Sequence, residues 1–258
     1  MKQVLVIDLE TTGLACGGDE ITEFAAAIYV PEKKRIVRAQ SVLINGNKLI
    51  SKEIEAMTMI SHELRNTFGV HESFLQEGES FLHWASNQYI VAHNAYGMEM
   101  PWLESRGITF PKSQWIDTSV DIPYPKHITT RKLSYLASEH GIPLVGAHEA
   151  INDVITTIEI LKKYDFEEIL KYKAAANVTL VANVSYEQRD KAKAHGFRWD
   201  AETKRWFKII KEFEIEEQKK ALDFRFGILQ DGEKIIPVKT TADVLKDRMP
   251  NIFGAQEE

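Results

Sequence analysis

The hydrophobic pattern sets its first constraint at the N-terminus. Val4, Leu5, Val6 and Ile7 form an unbroken aliphatic run, and Leu9 continues it between two acids. Such a run predicts a strand buried on both faces. Side chains at i and i+2 share a face of a strand, so Asp8 and Glu10 project together from its end. Neighbouring carboxylates repel, and partial burial adds a desolvation cost; a divalent cation relieves both. Thr11-Thr12-Gly13 follows as a turn where backbone can approach a ligand.

Further along, ITEFAAAIYV (21–30) predicts a second strand, stopped by Pro31, and IVRAQSVLI (36–44) a third. Short links between the three suggest an antiparallel meander. Residues 50–64 read as helix and loop, and Phe74, Leu75, Phe81, Leu82 and Trp84 fall at roughly helical spacing despite Gly78. QYIVAH (88–93) and WIDT (115–118) predict short strands, the second leaving Asp117 and Asp121 in loops without an expected role. Pro101 suits the first turn of a helix. Residues 130–140 predict a helix closed by Gly141, and 149–164 a longer one with Val154, Ile155, Ile158 and Leu161 as its apolar stripe. Strands first, then strands alternating with helices, imply a mixed sheet with helices on both faces, an α/β architecture.

Lys173 to Asn177 reads as a junction. Beyond it VTLVANV (178–184) alternates like a strand. Ser185 and Gln188 form a capping box for a helix that runs to His195, and Trp199 to Phe207 reads as a hairpin. Residues 213–222 read as helix. The expected organisation is a catalytic domain over 1–175, a small α+β domain over 178–230 and a tail, 231–258, of unassigned structure.

Composition is that of an ordinary globular protein, and 258 residues can bury a large domain and a small one. The one cysteine, Cys16, excludes an internal disulfide and fits a reducing, cytoplasmic setting. The opening apolar run is broken by Asp8 and no later run is long enough to span a membrane, so no membrane role is expected. Net charge is −6, against a broad non-specific nucleic-acid coat, but it is uneven. Residues 178–211 hold 8 Lys/Arg against 4 Asp/Glu, and residues 1–177 hold 17 against 23. An acidic catalytic part with a basic appendage is compatible with metal-dependent chemistry on a polyanion.

Asp153 stands at the start of the long helix with His148 five residues ahead. An acid there gains from the helix dipole and still faces the preceding loop. Mg²⁺ takes a few carboxylates and keeps some water, so Asp8, Glu10 and Asp153 can supply one site; an acid near 99 would complete a two-metal clamp. A histidine at 148 is the side-chain type suited to proton transfer from water near neutral pH. Together these residues make a kit for phosphodiester hydrolysis.

Three motifs carry a resemblance, in order, over about residues 1–165. They are Val6-Ile7-Asp8-Leu9-Glu10-Thr11-Thr12-Gly13-Leu14, then Val91-Ala92-His93-Asn94-Ala95-Tyr96-Gly97-Met98-Glu99, then His148-Glu149-Ala150-Ile151-Asn152-Asp153. The chain resembles the DEDD-type 3′–5′ exonucleases with a histidine base, the family that includes the proofreading epsilon subunit of bacterial DNA polymerase III, exonuclease X and RNase T. The resemblance implies an RNase H-like fold, two Mg²⁺ or Mn²⁺ ions, and stepwise release of 5′-mononucleotides from a 3′ end. It implies metal ligation by Asp8, Glu10, Glu99 and Asp153 and a base at His148. Substrate contacts would come from Thr11, Thr12, Gly13 and Leu14, from Met59 in the segment around 57–60, and from His93 and Asn94. Relatives usually have an aspartate where the second motif here offers glutamate. Strict counting puts Met98 on that position, and a related form with one extra residue puts Glu99 there, which is the expected ligand.

The expected partner is DNA, at single-stranded 3′ ends, with RNA or short oligonucleotides as the alternative and protein partners unassigned. A nucleic-acid-binding protein whose nuclease site has decayed at the second motif is the rival from another class. In the small domain, Lys191, Lys193, Arg198, Lys204 and Arg205 interleave with Tyr186, Phe197, Trp199, Trp206 and Phe207. That mixture suits single-stranded nucleic acid by phosphate contact and stacking. The competing expectation makes Trp199 and Trp206 the core of a domain that needs every large side chain. The pattern over 186–206 resembles a small module appended to phage and plasmid nucleic-acid enzymes, and faintly the HARP module of annealing helicases.

Overall fold

The computed structural model describes residues 2–128, 130–230, 232 and 234–241. Contacts divide the chain into two units, Met1–Lys173 and Ala174–Glu258.

In the first unit the strands are β1 (Val4–Thr11), β2 (Ile21–Val30), β3 (Arg35–Leu43), β4 (Tyr89–Ala92) and β5 (Trp115–Asp117). They form one sheet in the order β3-β2-β1-β4-β5. β1 pairs antiparallel with β2, as does β2 with β3, whereas β1–β4 and β4–β5 are parallel. This is the RNase H-like mixed sheet. The helices are α1 (Lys52–Thr58), α2 (His62–Phe68), α3 (Phe81–Trp84), α4 (Glu99–Glu104), α5 (Leu133–Glu139), α6 (Ala150–Leu161) and α7 (Phe166–Ala174).

Alternation along β1 divides the core. Leu5, Ile7 and Leu9 enter a cluster with Phe81, Leu82, Trp102 and Leu103. Val4 and Val6 enter another with Val154, Ile158 and Leu161 of α6. Asp8 and Glu10 share the parity of Val4 and Val6, so they emerge on the face that α6 covers. Opposite them on β2, Asp8 pairs with Ala25 and Val6 with Ala27, both fully buried. Small side chains there let α6 lie close to the sheet. At the end of this ladder the register shifts between Glu10 and Thr11, a bulge of the kind that re-aims side chains beside a site.

Several local expectations are corrected. The 74–84 segment is not one helix: a 3₁₀ turn over Glu72–Gln76 precedes the short α3, with Gly78 between them. The helix expected from 130 begins at Leu133. Ile155 does not belong to the buried stripe of α6, being 40% exposed; Thr157 is buried in its place. Asp117 closes β5 rather than lying in a loop.

The second unit has its own five-stranded antiparallel sheet, with β6 (Asn177–Ala182), β7 (Arg198–Asp200), β8 (Arg205–Lys211), β9 (Phe226–Gln230) and β10 (Lys234–Val238) in the order β10-β9-β6-β8-β7. With α8 (Arg189–Ala194) and α9 (Ile215–Ala221) it encloses a small core of Leu180, Ala192, Phe197, Ile210, Leu222, Phe224 and Phe226. The stretch left unassigned after 230 therefore begins with a strand; the rest of that tail, from 242, lies outside the described residues. Among the described residues no helix is long and apolar enough to cross a membrane.

Candidate active site

β1 delivers Asp8 and Glu10, the first turn of α6 delivers Asp153, and the loop before α6 delivers His148. One ligand atom each from Glu10, His148 and Asp153 lies within 4.8 Å of the others. His148 is exposed and holds a left-handed backbone, φ 67°. That uncommon conformation reverses the chain just ahead of α6. The Asp153 carboxylate accepts the backbone N–H of His148, so loop and helix are fastened to each other. Glu99 is the first residue of α4, only 1% exposed, and the nearest acid electrostatically to Asp8. Met98 precedes the helix and packs against the hydrophobic core instead. The structure thus brings Glu99, and not Met98, to the acids of β1.

The electrostatics are those of an uncompensated cluster. Burial, then Glu99, Glu10, Asp153 and Glu23, push the Asp8 carboxyl well above the usual carboxylate range. Burial, then Asp153 and Glu23, push Glu10 up to about 8. Glu99 is likewise pushed to about 8, chiefly by burial, with Asp117 and Glu10 adding to it. Asp153 is raised by burial, and His148 draws it back. Glu99 Oε2 is buried with no hydrogen-bond partner among the described residues. A buried oxygen left without a donor, aimed into a group of like charges, is the donor set a hard divalent cation fits.

A pH dependence follows. Below about 4.5 the Glu10 and Glu99 carboxyls are protonated in the folded and the unfolded chain alike. Between that value and about 8 the unfolded chain releases the proton and the fold keeps it, so rising pH favours unfolding. In EDTA the melting temperature is expected to drop by about 5 °C from pH 6.5 to pH 8.5, and added divalent metal to reverse the drop. The interval lies above the range in which His93, its pKa lowered by burial, titrates. A melting temperature that holds or rises over it in EDTA contradicts the assignment.

Three residues that sequence reasoning missed hold these acids in place. Glu23 pairs with Glu10 across the β1–β2 ladder, accepts the Ala150 N–H at 3.1 Å through Oε2, and accepts the Ser41 hydroxyl at 2.7 Å through Oε1. It thereby caps α6, whose own N-cap residue supplies no side-chain bond. Its one signal was a charge inside an otherwise apolar strand. Asp117 accepts the backbone N–H groups of Asn94, Tyr96 and Ser119 and the Ser119 hydroxyl, at 2.7–3.1 Å. Asp121 accepts the Tyr96 hydroxyl at 2.7 Å and the Asp117 N–H at 2.9 Å. Together they pin the turn that leads into Glu99. Asp117→Ala strands those donors and is expected to cost about 2–3 kcal/mol of stability. It should also weaken Mn²⁺ binding, since Glu99 loses its fixed approach; denaturant melts and a metal titration read the two effects separately.

The expected substrate-contact residues divide. Thr11 and Thr12 are buried, and their hydroxyls shape the turn: Thr11 donates to the Gly13 carbonyl at 2.6 Å and Thr12 to Asp19 at 3.1 Å. A Cβ at Gly13 would meet the Asp19 carboxylate at 2.5 Å, so that side chain would have to shift. Leu14, at the tip, is 91% exposed, and Met59 is 72% exposed with a left-handed backbone. Asn94 is exposed with φ 65°, and His93 Nδ1 lies 2.9 Å from the Thr118 hydroxyl. Leu14, Met59 and Asn94 are therefore open to a ligand, while Thr11, Thr12 and His93 are engaged within the fold.

Comparison with known proteins places the chain among exonucleases. The profile of the exonuclease family named for RNase T matches residues 5–161, and that of a domain of unknown function matches 178–227. The PolC-type DNA polymerase III of Staphylococcus saprophyticus is 30% identical over 183 residues, which cover 67% of this chain and 12% of that protein. The corresponding polymerase of Clostridium perfringens is 29% identical over 167 residues, 62% of this chain and 11% of that protein. The chain thus spans about one eighth of the length of these relatives. Among solved structures, the zinc-bound E. coli exonuclease I complex with single-stranded DNA aligns at a TM-score of 0.57 and 14% identity, covering 97% of this chain and 68% of that one. A 3′-exonuclease that recognises a histone mRNA stem-loop aligns at 0.52 and 12% identity, covering 69% and 67%. At such identities the structural likeness shows the fold alone.

Proposed function

The chain belongs to the DEDD-type 3′–5′ exonuclease family, a family of nucleases that use divalent metal, and from that premise we propose that it removes 5′-mononucleotides stepwise from single-stranded 3′ ends of DNA. The observation that carries the reading is the Asp8–Glu10–Glu99–Asp153 cluster, its glutamates buried and its aspartates half-buried, with His148 at its exposed rim. These four acids would hold two Mg²⁺ or Mn²⁺ ions. Bound there, the ions would acidify water and neutralise charge on the scissile phosphate.

His148 accepts the proton of the attacking water at a ring nitrogen. Its exposed, left-handed position lets it face solvent while Asp153 holds the loop. Attack at phosphorus breaks the bond to the 3′-oxygen and frees a 5′-monophosphate; the departing 3′-oxygen takes a proton from solvent and becomes the new 3′-hydroxyl. Leu14 and Met59, both apolar and exposed, suit contact with unpaired terminal bases. The PolC-type DNA polymerase relatives support DNA over RNA as the substrate. The burial of Glu99 among the other acids speaks against a decayed site, because an idle carboxylate there would carry its desolvation cost for nothing.

End-labelled strands test the reading. A 3′ label should appear at once as mononucleotide, and a 5′-labelled strand should shorten one residue at a time, with Mg²⁺ or Mn²⁺ and not in EDTA. Internal fragments, or early release of the 5′ label, would overturn it. RNA of the same sequence run in parallel ranks the two substrates.

A further inference from the structure

The core of the second unit leaves its largest aromatic residues outside. Trp199 is 50% exposed and takes no part in the buried cluster, and Tyr186 is 75% exposed. Trp206 is only partly packed on that core. The expectation that both tryptophans are needed to build the domain therefore holds in part for Trp206 and fails for Trp199.

These rings are joined by cations. Trp199 and Trp206 are cross-strand partners on β7 and β8, their centroids 5.5 Å apart and tilted by 55°. Lys193 Nζ lies 5.9 Å from the centroid of Trp206. Arg189 is four residues earlier on α8, on the same helix face, and its guanidinium lies 4.0 Å from the centroid of Tyr186. The result is one stripe, Tyr186–Arg189–Lys193–Trp206–Trp199. Two acids neighbour it: Asp190, 3.7 Å from Lys193, and Glu187 beside Arg189, both exposed, so that they hold little of that charge.

We propose that this stripe binds single-stranded nucleic acid, its rings stacking on unpaired bases and Arg189 and Lys193 meeting phosphates. Two cations flanked by aromatic rings suit a single strand, in which every nucleotide offers a π-face and a charge. A duplex offers only the charge, because its bases are already stacked. An acidic protein surface would use the cations and leave the rings without partners. The proposal goes beyond the exonuclease reading, since it concerns a unit that lacks the four acids.

The test uses the full chain in EDTA, titrated with dT20 or U20 and followed by tryptophan fluorescence, with the strand checked intact afterwards. The expected results are a roughly tenfold loss of affinity in Trp199→Ala, and a salt slope smaller by about 1.4 in Arg189→Ala/Lys193→Ala. Trp199 and Lys193 are exposed and Arg189 half-buried, and circular dichroism checks that each variant is folded. Unchanged affinity and slope in folded variants would overturn the proposal, as would equal binding of a 20-bp duplex. The dT20 and U20 arms show which sugar the stripe prefers. Hydrolysis of the p-nitrophenyl ester of thymidine 5′-monophosphate, run separately with Mn²⁺ in place of EDTA and too small to reach along the stripe, separates this proposal from the exonuclease reading. It should be equal in wild type and variants; if even wild type leaves it uncut, the exonuclease reading fails while the binding curves still decide the stripe.

Discussion

Asp8→Asn is expected to lower phosphodiester hydrolysis by roughly 10³-fold or more and, in the same protein, to raise the metal-free melting temperature at pH 8. Both effects have one cause. Asp8 occupies the middle of a strand whose neighbours are buried aliphatics, facing Glu99, Glu10, Asp153 and Glu23. Its charge is costly there without a cation, and the nearly isosteric amide removes the charge without opening a cavity. The loss of a metal-binding oxygen and the relief of repulsion should therefore appear together, in a turnover assay and in a thermal melt. An inactive variant that is also less stable would mean that Asp8 serves the fold.

Glu99→Gln should cut the rate by roughly 10²-fold or more while keeping the fold, because the amide matches glutamate in shape. The motif register leaves Met98 or Glu99 in the place of the usual aspartate, and α4 turns Glu99 inward with one oxygen unpartnered. Glutamine cannot supply the charge that this oxygen brings to the site. Glu99→Asp is the informative partner: it keeps the charge, withdraws it by one methylene, and should retain more activity than the amide. Near-normal turnover in Glu99→Gln would remove Glu99 from the metal ligands.

The order of the elements and the placement of Asp8 and Glu10 were legible because strand alternation is strictly local. Four aliphatics and two acids at i and i+2 fix a face whatever lies elsewhere. Asp153 was legible for a similar reason, at the start of a periodic helix. What escaped is non-local. Glu23 reads as an anomaly in an apolar strand until β1–β2 pairing sets it opposite Glu10 and beneath the start of α6. Asp117 and Asp121 acquire a role only when β4 and β5 lie side by side and bring Asn94 and Tyr96 within hydrogen-bond distance. β10 was invisible because it is an exposed edge strand containing Pro237, which neither alternates nor offers a full set of donors. Trp199 was misjudged for the opposite reason: side-chain size suggests burial, and only the folded hairpin reveals which face it occupies.

The most direct measurement is a calorimetric titration of the full chain with Mn²⁺ at pH 8.5, above the point at which Glu10 and Glu99 ionise. The clustered carboxylates predict saturable binding to wild type, and its loss or marked weakening in Asp8→Asn and Glu99→Gln. Equal binding by all three proteins, or none by wild type, would contradict a metal site built from these acids.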